Sequence, residues 1–97
     1  MSQPIYKLFL FSPAPASYQI SEEEQQKMMA KVNEARAKVG GEVVVTCASG
    51  WATEQWQYWG VEKFPSLEAV LEHGKLLVEM GWFQYIKSET YLGIPTQ

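Results

Sequence analysis

The run Glu62-Lys63-Phe64-Pro65-Ser66-Leu67-Glu68-Ala69-Val70-Leu71-Glu72-His73 constrains this chain more than any other. Proline is a poor fit inside a paired strand, and serine is among the best helix N-caps. The run therefore reads as the end of a strand, a turn, and the first half of a helix. That helix carries the only histidine.

The same signals order the rest of the chain. Ile5 to Phe11 is β-rich and bounded by Pro4 and Pro13, so it reads as a first strand. Ser12 to Ile20, with Pro13 and Pro15, reads as an irregular loop. Ser21-Glu22-Glu23-Glu24 is a capping box whose acids also suit the positive end of a helix. Met28, Val32, Ala35 and Val39 then form one apolar stripe, and Gly40-Gly41 stops the helix. Val43 to Ala48 is a second strand, Ser49-Gly50 begins a turn, and Gln55 to Phe64 is a third strand pairing with the second as a hairpin. In the second helix Leu67, Val70, Leu71, Gly74, Leu77 and Val78 are the expected buried stripe, with Gly74 allowing close packing on the sheet. Gly81 ends it, Trp82 and Phe83 offering a short extension, and Tyr85 to Leu92 is the fourth strand. The order β-α-β-β-α-β is the ferredoxin-like split unit, an α+β fold with a four-stranded antiparallel sheet and two helices on one face.

Ninety-seven residues make a single domain, 1–97, with a modest core. Into it must go four Trp, five Tyr and four Phe. The sheet face away from the helices would be bare in a monomer and rich in these rings. Two copies packing those faces together would bury them, so a homodimer is expected. The net charge of −3, without a basic run, argues against nucleic acid and against an anionic membrane surface as partners. Cys47 is alone, which removes intrachain disulfides and paired-cysteine zinc sites. The N-terminus lacks a signal-peptide pattern, and no stretch reaches the ~20 apolar residues of a membrane span. Cytoplasmic residence is the expectation.

The acid–basic–aromatic strand end Glu62-Lys63-Phe64, then Ser66, Ala69 and His73 down the helix, resembles the third strand and second helix of the antibiotic-biosynthesis-monooxygenase type of dimeric α+β barrel. The whole chain is similar to that superfamily in length and element order. The resemblance implies a homodimeric α+β barrel with a pocket between helices and sheet. It names no single reaction, because the superfamily holds cofactor-independent monooxygenases, polyketide cyclases, isomerases, haem-degrading enzymes and stress proteins. Trp51, Trp56, Trp59, Trp82 and the ending Tyr91-Leu92-Gly93 depart from the monooxygenase pattern and imply a separate branch.

His73 is the leading catalytic candidate, since a neutral-range pKa suits acid–base work on a phenol or enol. On a helical wheel it lies beside the apolar stripe; the bland reading is a half-exposed histidine at a helix edge. The resemblance adds a role as base or haem ligand at this place. Tyr58 and Tyr85 are candidates to hold a substrate oxygen, and Tyr6 to orient a ligand hydroxyl. Trp56 and Tyr58 share a strand face with Glu62 and Phe64, whereas Trp59 takes the other; periodicity leaves open which face meets the helices. Trp56, Trp59, Glu62, Phe64 and Tyr6 are therefore the ligand-binding candidates, against the bland reading of core and dimer seam. Lys7, Lys87 and Glu89 interrupt apolar strands, as inter-strand pairs or exposed ends. No Gly-rich phosphate loop or metal-ligand cluster is present in the sequence, so neither a cofactor nor a metal is expected.

Two functional readings follow. One is a cofactor-independent enzyme, of monooxygenase or cyclase type, on an aromatic or polyketide-like substrate, with a cavity reaching His73. The other is a non-catalytic, stress-related or structural dimer whose aromatics fill the interior. Haem binding through His73 is a third reading, weakened by the lack of an Asn on strand one.

Overall fold

The computed structural model describes residues 3–53 and 55–96. Its elements are β1 (Ile5–Pro13), α1 (Glu22–Lys38), β2 (Glu42–Ala48), β3 (Tyr58–Phe64), α2 (Leu67–Glu79) and β4 (Ile86–Gly93). Short 3-10 turns at Pro15–Gln19 and Trp82–Gln84 precede α1 and β4. The four strands are antiparallel in the order β2-β3-β1-β4, and the fold is ferredoxin-like α+β.

Both helices start as their caps dictate. The Ser21 hydroxyl accepts the Glu24 N–H at 3.1 Å, and Ser66 does the same for Ala69 at 3.2 Å. At the far end of α1 the Gly41 N–H reaches back to the Arg36 carbonyl at 2.9 Å, with Gly40 at φ 80°, a Schellman-type stop. Gly41 also has a steric duty. A Cβ there would stand 2.6 Å from the Phe64 ring and 2.8 Å from Arg36 Cγ, so its hydrogen lets both side chains press inward.

The β1–β3 register pairs Ile5 with Phe64, Lys7 with Glu62, Phe9 with Gly60 and Phe11 with Tyr58, and these residues face the helices. Phe64, Ala69 and Val70 form the core with Ile5 and Val39 packed on them. Gly60 lies under Phe9: an added Cβ would meet that ring at 2.6 Å and the Val45 carbonyl at 2.7 Å. The α1 stripe holds as expected, with Val32 and Ala35 buried.

The α2 stripe is a correction. Its buried residues are Ala69, Val70, His73 and Leu77, while Leu67, Leu71 and Val78 are 52%, 63% and 66% exposed. Apolar residues cover more than one side of this helix, so periodicity alone does not set its rotation. Docking on Phe64, whose ring centroid is 5.3 Å from that of His73, turns the histidine inward. Gly74 is also corrected: a Cβ there would meet nothing within 4 Å, so no close packing requires it. β3 begins at Tyr58 rather than Gln55, because the preceding segment is tied elsewhere. The Ser12 hydroxyl donates to the Gln55 carbonyl and accepts the Gln57 N–H, each at 2.9 Å.

The opposite sheet face carries Tyr6, Leu8 and Leu10 of β1 beside Lys63, Val61 and Trp59 of β3. Val45, Cys47 and Tyr91 continue it. Leu8, Val45 and Tyr91 are 37%, 41% and 54% exposed.

Candidate functional site

Four elements bring one polar cluster together under the helices. Lys7 and Glu62 are cross-strand partners on β1 and β3. Arg36 descends from the last turn of α1, and His73 from the middle of α2. The Arg36 Nε donates to Glu62 Oε2, and Arg36 Nη1 donates to Asn33 Oδ1 at 2.8 Å. Lys7 Nζ stands 3.8 Å from Glu62 Oε1. The Glu62 side chain is 4% exposed, and those of Lys7 and Arg36 are each 13% exposed. Charges so withdrawn from water persist only when paired, which explains why one carboxylate serves two cations.

His73 is 1% exposed, and neither ring nitrogen has a hydrogen-bond partner among the described residues. Burial, then the nearby charges of Lys7 and Arg36, pushes its pKa down to about 4. At neutral pH the ring is uncharged, with one N–H to give and one lone pair to receive. Burial also holds the Lys7 ammonium below its ordinary pKa, against the opposing pull of Glu62.

This cluster forms one end of a cavity of about 160 Å³. Phe9, Phe11, Val32, Leu77, Trp82 and Ile86 are among its apolar walls. A second cavity of about 420 Å³ adjoins it, sharing Phe11, Met29, Thr46, Trp82 and Ile86. Tyr58 and Tyr85 line this second space, together with Pro13 at the end of β1 and Tyr18 and Ile20 of the segment before α1.

The candidates from sequence are thus distributed over the molecule. His73 and Glu62 meet in the first cavity, and Phe64 packs against His73 in the core. Tyr58 and Tyr85 meet in the second cavity, where Tyr58 stacks on Phe11 at 5.1 Å. Tyr6 and Trp59 lie on the opposite sheet face, and Trp56 sits in the segment before β3. Sequence reasoning passed over Arg36 and Asn33 and assigned no site role to Lys7. A signal was available for two of them. Arg36 follows Val32 by four residues on the buried arc of α1, and Lys7 alternates with Ile5 and Phe9 on the covered face of β1. Among the described residues no group of three or more His, Cys, Asp or Glu is placed to hold a metal ion.

The likenesses to known proteins are structural. No protein-family model matches this chain, and no curated protein sequence matches it. A protein of unknown function from Rhodopseudomonas palustris superposes over 100% of this chain and 85% of its own, with 17% identity and a TM-score of 0.69. A hypothetical protein from Arabidopsis thaliana covers 99% of this chain and 91% of its own, at 15% identity and a TM-score of 0.65. SnoaB, a cofactor-independent oxygenase from Streptomyces nogalater, covers 99% of this chain and 96% of its own, at 16% identity and a TM-score of 0.60. At such identities the likeness is one of fold.

Proposed function

We propose that this chain is a homodimeric α+β barrel protein that binds a flat aromatic or polyketide-like molecule between helices and sheet and acts on it without a cofactor. His73 is the proton-handling group. The observation that carries this reading is a histidine that is 1% exposed, with both ring nitrogens unpartnered, facing a cavity walled by Phe and Trp. Unpartnered buried polar atoms cost stability, and such costs gather where a protein meets a ligand. The oxygenase of similar fold supports the class of chemistry without supplying its substrate.

An imidazole with a pKa near 4 is a weak base by itself. Burial is the larger cause of that shift and opposes ionisation of a phenol or enol there too, whereas Lys7 and Arg36, the lesser causes, lower the pKa of a phenol or enol bound beside them. The two cations therefore stabilise the oxyanion that proton transfer creates and offset part of the cost of forming it away from water. The adjoining cavity takes the body of the substrate, with Tyr58 and Tyr85 at its wall.

The homodimer rests on the bare sheet face, where Leu8, Val45 and Tyr91 are exposed. The test of function is a panel of phenolic and enolic naphthalenes and anthracenes, screened by tryptophan fluorescence and then for oxygen uptake or product formation. Binding with turnover that disappears in a folded His73→Ala variant is expected. Turnover that survives this substitution would remove His73 from the chemistry.

A further inference from the structure

We infer that the His73 cavity selects its ligand as a monoanion, a single oxyanion on a flat apolar body, received by Lys7 and His73. The inference rests on the small-molecule reading above and names the charge class of that ligand. Three observations carry it. First, two largely buried cations, Lys7 and Arg36, share one carboxylate, Glu62, leaving one formal positive charge in the lining of a mostly apolar cavity. Second, the two cations are not equally served. Arg36 is held by Glu62 and Asn33, whereas the Lys7 ammonium is 3.8 Å from Glu62, beyond hydrogen-bond reach. Third, His73 brings a further unpartnered N–H into the same space. Positive charge thus exceeds negative by one, which one carboxylate or one ionised enol would balance.

The apolar walls set the rest of the ligand. Phe9, Phe11 and Leu77 carry no charge, and the other polar lining residues, Asn33, Thr46, Ser88 and Thr90, are neutral, so a second charge on the ligand has no counter-charge to meet. A neutral isostere fits the walls and leaves Lys7 unserved.

Calorimetry or ligand-observed NMR with three probes of one size tests this on the intact protein: 2-naphthoate, 2-naphthamide and 2-naphthylmethylammonium. A charge-assisted contact predicts naphthoate binding about tenfold or more tighter than the amide, with the ammonium weakest. 4-Nitro-1-naphthol, ionised at neutral pH, distinguishes an enolate-type oxygen from a carboxylate. Lys7→Met, which leaves the Arg36–Glu62 pair balanced, should lower naphthoate affinity about tenfold and so bring it close to that of the amide, which falls far less. Equal binding of acid and amide would overturn the charge selection while leaving a ligand cavity in place. Absence of binding by every probe at millimolar concentration would overturn both readings. Should Lys7→Met not fold, the acid–amide ratio on the unsubstituted protein decides alone.

Discussion

His73 sits where its own stability works against it. Its pKa is about 4 in the folded chain and 6.5 when unfolded. Between these values the unfolded chain takes up the proton first, so stability is full above 6.5 and falls as pH drops towards 4. The difference corresponds to roughly 3 kcal/mol. Urea titrations across this window should show the decline, and His73→Leu should flatten it while keeping Tm at or above the parent value, because the leucine buries no unpartnered nitrogen. An unchanged slope in that variant would show that His73 is not the titrating group. Glu62 matters through its two ion pairs. Its removal in Glu62→Ala strands Arg36 and Lys7, and a loss of roughly 3–5 kcal/mol in denaturant unfolding is expected.

Helix α2 shows how an element can be read correctly in place and wrongly in rotation. Its start at Ser66 and its end at Gly81 follow from local chemistry, and both stand where the sequence puts them. The buried arc follows from Phe64 and the sheet instead. Leu77→Ala should therefore cost roughly 2–5 kcal/mol, whereas Leu71→Ser should stay within about 0.5 kcal/mol, measured side by side by chemical unfolding. Equal losses would restore the stripe expected from periodicity. Strand β3 makes the complementary point. Gly60 looks like a weak spot in a strand, yet Phe9 occupies the space over it, and Gly60→Val should destabilise by roughly 1–3 kcal/mol while disturbing the cavity wall.

For the molecule as a whole, the open question of assembly has a direct measurement. In the proposed homodimer the face bearing Leu8, Val45, Val61 and Tyr91 is the one a second copy would cover. Light scattering should give twice the 11.1 kDa of one chain, and Leu8→Glu should halve that mass. A monomeric parent protein would leave the aromatic face without its proposed cover.

Local signals were enough for the order β-α-β-β-α-β, both helix caps, the glycine stops and the buried arc of α1. Each depends on residues within a few positions of one another, and capping, turn chemistry and periodicity act over that range. The same information placed His73 on α2 beside an apolar arc and Glu62 on the face it shares with Phe64. It could not join Lys7, Arg36, Glu62 and His73, which come from four elements and meet only when β1 pairs with β3 and both helices lie on one sheet face. It also could not separate Tyr58 and Tyr85 from His73, or send Tyr6 and Trp59 to the far side, because strand alternation defines two faces without saying which one the helices cover. That choice belongs to packing: Phe64, Ala69 and Val70 close the core, and the charges beside them are buried because that closure leaves them nowhere else to go.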